Sequence, residues 1–216
     1  MGASLNAEVE FERLWLDDVS WVDVARGWLR GADEVLDTVL SSVPFRQGRL
    51  FRYEKWIDEP RLGAGVGAGR PHPHPVLGDA QRALSERYGH RLDGYGLALY
   101  RSGRDLQAFH RDRDLRWLDD TLIVLLTLGA RRSWFLRPRS NRYLHDDNKG
   151  ATHDLRPGPG DLMVMGGATQ LGWEHSVPPL PGLREPRVSV QWRWTSRRGR
   201  PVEGASYRAP RTFGHR

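Results

Sequence analysis

The chain contains no cysteine in its 216 residues. That excludes a disulfide framework and any thiolate metal site, so a bound metal would have to take imidazole and carboxylate ligands. Long apolar runs are also missing, and none approaches the ~18 residues of a membrane-spanning helix. The opening Met1-Gly2-Ala3-Ser4-Leu5-Asn6 has neither the basic nor the apolar region of a secretory leader, and Asn6 stands where a myristoylation signal has Ser or Thr. A cytoplasmic protein is the expectation. Lysine is nearly absent, with only Lys55 and Lys149. The 33 Lys and Arg against 27 Asp and Glu, a net +6, are therefore almost all arginine. Guanidinium groups grip carboxylates and phosphates at two points, and a basic balance suits an acidic partner such as nucleic acid. A compositional bias of the genome would give the same skew. Hydrophobic residues make up 38%, enough for one core in a chain of this length.

Residues 11–24 read as short strands around an Asp17-Asp18 turn. A helix is expected after Gly31, capped by Asp33, with Val35, Leu36, Val39 and Leu40 on its apolar stripe and Pro44 at its end. Arg49 to Ile57 alternates polar and apolar, as one half-buried strand does. Residues 63–75 hold four glycines and then three prolines, which predicts an irregular surface loop, either an insertion or a lid. His72 and His74 lie in it without a carboxylate helper, which argues against a metal site there. Pro75 to Tyr88 fits a helix with Leu77, Ala80, Leu84 and Tyr88 on one face. Strands are then expected at 94–100, 107–111, 121–128, 132–137, 161–165, 172–177 and 186–194, with a polar loop over 138–150. Thr121 to Leu128 is apolar almost throughout and predicts a strand buried on both faces. The pattern argues for a mainly β barrel or sandwich with N-terminal helices. Residues 197–216 form a basic tail rich in Arg, Gly and Pro, expected to fray.

The chemistry concentrates in three places. In Gln107-Ala108-Phe109-His110-Arg111-Asp112-Arg113-Asp114, His110 and Asp112 stand two apart, so in an extended segment they face the same way. His175 lies in Trp173-Glu174-His175-Ser176-Val177. Two histidines and one carboxylate on one side of an ion leave open positions for substrate and oxygen, the facial triad of non-haem iron(II) oxygenases. A bare His-x-Asp pair arises easily by chance. The second one, His145-Asp146-Asp147, sits in a polar stretch without apolar flanks and reads as a solvated turn. The third place is Arg187-Val188-Ser189-Val190-Gln191-Trp192-Arg193. Its apolar residues share one strand face, while Arg187, Ser189, Gln191 and Arg193 share the other, which meets either solvent or a polar cavity. The two arginines would be ~20 Å apart along such a strand and would serve different ends of a site.

The order of these pieces resembles the AlkB family of iron(II), 2-oxoglutarate-dependent dioxygenases. The resemblance is carried by Tyr100-Arg101-Ser102-Gly103, His110-Arg111-Asp112, Gly160-Asp161 to Gly167, His175-Ser176 and Arg187 to Arg193, roughly residues 94–195. It implies a double-stranded β-helix (jelly roll) in one domain of residues 1–196. Residues 1–93 would be the N-terminal extension and nucleotide lid, and 94–196 the catalytic core. It implies iron(II) held by His110, Asp112 and His175, with 2-oxoglutarate and O2 as cosubstrates. Arg187 would pair with the far carboxylate of 2-oxoglutarate, Arg193 would lie nearer the metal, and Tyr100 would hydrogen-bond the cosubstrate beside Ser189. The implied reaction is oxidative demethylation of N-alkylated bases in DNA or RNA, releasing formaldehyde, succinate and CO2. Asp114 would meet the base edge. The chain departs from the family pattern where Ala98 and Ser189 replace asparagines, and where Gly65-Val66-Gly67 replaces the aromatic that follows the Pro-Arg pair, here Pro60-Arg61. Stacking on an extruded base needs a flat ring, so Tyr53 or Trp56 would have to substitute. Two other readings stay open: the same oxygenase chemistry on a small molecule or protein, and a basic barrel that binds nucleic acid without turnover. No feature implies a protein partner, and a monomer is expected.

Overall fold

A computed structural model of the chain describes residues 2–52, 54–112, 115–116, 118–139, 152–196, 201–202 and 212–213. In chain order, β1 (Ser4–Leu5), β2 (Glu12–Trp15), β3 (Ser20–Ala25) and β4 (Leu29–Arg30) precede α1 (Ala32–Ser42). A long hairpin, β5 (Arg46–Arg52) and β6 (Lys55–Val66), leads to α2 (Pro75–Tyr88). Then come β7 (Tyr95–Tyr100), β8 (Gln107–His110), β9 (Thr121–Gly129), β10 (Phe135–Pro138), β11 (His153–Asp154) and β12 (Leu162–Gly167). The short α3 (Thr169–Gly172) runs into β13 (Trp173–Val177), followed by β14 (Arg187–Thr195). A two-stranded ladder, β15 (Pro201–Val202) with β16 (Thr212–Phe213), closes the order.

Two antiparallel sheets face each other as a jelly roll. The major sheet has the order β2-β3-β12-β9-β14-β7-β6-β5, and the minor sheet β11-β10-β13-β8. β9 lies near the middle of the major sheet and is buried along its whole length. Its alternation explains why. Leu122, Val124, Leu126 and Leu128 join the layer under α1 and α2, while Ile123 and Leu125 face the interior between the sheets. Each face is thus covered by a different layer, and both must be apolar. β14 divides the same way, with Val188, Val190 and Trp192 packed among the helices and the polar positions turned inward.

The helices follow local chemistry. α2 starts with Pro75, and the His74 side chain accepts a hydrogen bond from the Val76 N–H at 3.2 Å, an N-cap. His72 is tied to the Tyr95 hydroxyl at 3.1 Å. Each histidine thus makes a hydrogen bond that helps place α2, and His74 Nε2 also lies 3.6 Å from Glu34 Oε1, a carboxylate the sequence reading did not foresee. α1 departs from expectation at its start: the N-cap is Gly31 at φ 69°, with no side-chain cap, and Asp33 lies inside the first turn. There its charge still favours the positive helix end.

Two expectations fail nearby. Arg49 to Ile57 is not one strand but the two arms of the β5–β6 hairpin, which turns at Glu54 in the left-handed region, φ 61°. Alternation alone cannot separate a strand from a tight hairpin whose arms alternate alike. Residues 63–66 are also regular, pairing with Ala98, Leu97, Gly96 and Tyr95 of β7. Glycine there is compatible with a strand because the ladder uses only backbone groups. Only the stretch after Val66 is irregular. The 138–150 loop, the His145-Asp146-Asp147 turn and most of the tail fall largely or wholly outside the described residues. Among the described residues, no helix is long and apolar enough to cross a membrane.

Candidate active site

The minor sheet presents two imidazoles side by side. His110 ends β8 and is the register partner of His175 on β13, with ring centroids 4.2 Å apart. Two residues on, Asp112 brings Oδ1 to 3.6 Å from His110 Nε2 and 3.8 Å from His175 Nε2. One ligand atom from each lies within 4.8 Å of the others, so the three can close on one ion. His110 Nδ1 is 2.9 Å from the Ala108 carbonyl, which only accepts. Nδ1 therefore carries the proton, and Nε2 offers its lone pair to the site.

The electrostatics favour a cation. Burial alone would raise the Asp112 carboxyl. The Arg193 guanidinium against Oδ2 outweighs it and holds the group well below the usual carboxylate range. His175 is pushed down to about 3, first by burial and then by His110 and Arg193, against the pull of Asp112. Its neutral imidazole is the ligating form.

A polar cavity extends from these residues along the inward face of β14. At the metal end, Arg193 Nε donates to Asp112 Oδ2 at 2.6 Å, and Arg193 Nη2 donates to Gln191 Oε1 at 2.7 Å. Gln191 in turn donates to the Ser189 hydroxyl at 3.3 Å. At the far end sits Arg187, 1% exposed, beside the buried ring of Tyr100, with its guanidinium carbon 5.5 Å from the ring centre. Arg187 Nη2 donates to Thr127 Oγ1, while Nε and Nη1 find no partner among the described residues. Burial lowers this guanidinium to about 10, partly offset by Tyr100. A buried cation with two unmet donors is costly unless an anion joins it. A dicarboxylate with one end at Arg187 and the other near the triad answers that need. The residues present thus fit iron(II) and 2-oxoglutarate.

The sequence-predicted residues separate into three groups. His110, Asp112, His175, Tyr100, Arg187, Ser189 and Arg193 all line this one cavity. Trp56 does not; it is exposed on β6, edge-on to Phe51 at 5.5 Å. Asp114 and Tyr53 lie outside the described residues. Ala98 is buried between Gly63 and Ser189 in the sheet. Sequence reasoning missed Arg61 and Gln107, which share a 2.8 Å hydrogen bond at the cavity wall. Arg61 follows Pro60 on β6, and only the pairing of β6 with β7 brings it there. Thr127 was also missed, although it interrupts the apolar run from Leu122 to Leu128.

Residues 67–193 match the family described as the 2OG-Fe(II) oxygenase superfamily. The chain belongs to that superfamily, whose cofactor is iron(II) and whose cosubstrates are 2-oxoglutarate and O2. Within it the chain is AlkB-like. It is 29% identical to the human "Alpha-ketoglutarate-dependent dioxygenase alkB homolog 3", over 76% of this chain and 62% of that protein. It is 27% identical to the human "DNA oxidative demethylase ALKBH2", over 75% and 68%. The chain therefore spans about three fifths of the length of alkB homolog 3. Among solved structures, a prolyl hydroxylase from Trichoplax adhaerens in complex with a hypoxia-inducible-factor peptide shares the fold. Its TM-score is 0.56 at 18% identity, over 81% of this chain and 83% of that one.

Proposed function

We propose that the chain oxidatively demethylates N-alkylated bases in DNA or RNA. Iron(II) with 2-oxoglutarate supplies the oxidation: one atom of O2 leaves in succinate beside CO2, and the other enters the N-methyl C–H bond, whose hydroxymethyl product breaks down to formaldehyde. His110, Asp112 and His175 hold the metal, with His110 Nδ1 keeping its proton on the Ala108 carbonyl. Arg187, braced by Thr127 and Tyr100, receives the far carboxylate of 2-oxoglutarate. Arg193 keeps Asp112 ionised and turned to the imidazoles, and Gln191 and Ser189 keep Arg193 in place. The observation that carries the reading is the buried Arg187, with two donors unmet among the described residues, opening on the same cavity as the triad.

The nucleic-acid part rests on the relatives and on the hairpin. β5–β6 exposes Phe51 and Trp56 beside Arg49, whose guanidinium lies 5.9 Å from the Trp56 ring. An aromatic pair beside this guanidinium, which Asp58 holds at 3.0 Å, suits a stacked base and its phosphate. In this reading Trp56 and Tyr53 stack, and Asp114 faces the edge of the cationic base. The test is an anaerobic titration with iron(II) and 2-oxoglutarate, followed by air and a methylated oligonucleotide. Succinate and formaldehyde in equal amounts support the reading. Succinate without formaldehyde keeps the oxygenase and discards the base substrate.

One observation favours a second substrate class, a small molecule or a protein side chain. Among the described residues, no aromatic of the hairpin lines the cavity. Weak, salt-insensitive binding to DNA and RNA would select that class.

A further inference from the structure

Asp112 belongs to no strand, because β8 ends at His110. The two imidazoles are fixed by cross-strand pairing, so something outside the sheet must fix the backbone that carries the carboxylate. α3 supplies it. Gln170 is fully buried and turns Oε1 to the Asp112 backbone N–H at 2.7 Å. A backbone N–H only donates, so the orientation of this amide is settled, oxygen towards Asp112. Gln170 Nε2 has no partner among the described residues, which leaves the carbonyl as the working half of the side chain. The preceding residue is tied to the same helix. The Arg111 guanidinium donates to the Leu171 carbonyl at 3.1 Å and the Gln170 carbonyl at 3.4 Å, and also to the Arg116 carbonyl at 2.7 Å. α3 runs without a break into β13, which bears His175. One short segment therefore delivers one imidazole and holds the backbone of the carboxylate.

We propose that Gln170 is a positioning residue of the metal centre, whose side-chain carbonyl anchors the Asp112 backbone and so sets the reach of its carboxylate towards His110 and His175. This rests on the reading of those three residues as metal ligands. Its contribution belongs to metal affinity more than to folding, because the bond orients one loop residue and ties no two strands together. Partners one step behind a ligand are worth ~10- to 100-fold in metal affinity.

The test is calorimetric titration of the full chain with manganese(II), which needs no oxygen and no turnover, beside thermal melts of the metal-free protein. The wild type binds one ion, and Asp112→Asn does not. Gln170→Met, of equal length without an acceptor, binds ~10-fold or more weakly with an unchanged metal-free melt. Gln170→Glu, which keeps an acceptor oxygen, restores most of the affinity. Should Gln170→Met fail to fold, Gln170→Asn, whose carbonyl falls one methylene short, takes its place with the same expectation. Equal affinity in wild type and Gln170→Met overturns the role of Gln170 alone, as does an equal loss in Gln170→Met and Gln170→Glu. A wild type that binds no ion overturns the metal-site reading and this one with it.

Discussion

Arg193 and Asp112 form a 2.6 Å ion pair across 81 residues of sequence. The guanidinium takes Oδ2, and Oδ1 is left facing both imidazoles. One oxygen of the carboxylate is thus committed to the protein and the other to the metal position.

Replacing Arg193 with leucine frees that carboxylate to rotate and leaves Gln191 Oε1 without its donor. Metal-dependent turnover of 2-oxoglutarate should fall by roughly 10- to 100-fold. Succinate release under saturating iron(II) checks this, and unchanged turnover would contradict it.

Arg187 makes opposite predictions for stability and for binding. Two donors of its buried guanidinium are unmet among the described residues. Arg187→Met removes the desolvated charge and fills similar volume, at the cost of the one bond to Thr127. The ligand-free variant should melt at or above the wild-type temperature. The same variant should lose the upward shift of the melt that 2-oxoglutarate gives to the wild type. A variant that melts far lower, or still responds to 2-oxoglutarate, refutes the assignment of this end of the cavity.

Trp56 is 60% exposed and meets Phe51 on the hairpin surface. Trp56→Ala should leave the melt nearly unchanged. If the hairpin meets a base, affinity for a methylated oligonucleotide falls by about 1–3 kcal/mol, the worth of one stacked base. Succinate release without oligonucleotide stays at the wild-type rate. Fluorescence anisotropy beside a succinate assay separates the two effects.

Asp161 governs part of the acid limb. Burial pulls its carboxyl up, but the N–H groups of Gly158 and Gly27 and the Arg26 guanidinium hold it below the ordinary value. A folded value below the unfolded one adds stability above pH ~3.9, which is lost as pH falls through the folded value. Asp161→Asn should lower stability at neutral pH by about 1–3 kcal/mol and flatten the decline below pH ~4. Urea melts between pH 3 and pH 7 measure both. A variant with the wild-type acid slope would place the pH dependence elsewhere.

Much of this molecule could be read from the order of its residues. The 3.6-residue apolar spacing of Leu77, Ala80, Leu84 and Tyr88 marks α2, with Pro75 at its start. The two-residue alternation of Arg187 to Arg193 assigns a polar face and an apolar face to β14 whatever it pairs with. The two-residue spacing of His110 and Asp112 suggests a shared side, although Asp112 lies just past the end of β8. These are local rules, set by backbone geometry within a few residues. The tertiary structure alone decided the rest. Which strand lies beside which brings His175 opposite His110, Arg61 to the cavity wall and Gln170 to the Asp112 backbone. None of these carries a local signal, because a hydrogen bond across 58 residues depends on the path of the whole chain between its ends. The same holds for Arg187: nothing near it in sequence says that its guanidinium is buried with two donors unmet among the described residues, and that condition, produced by packing, is what points to a dicarboxylate.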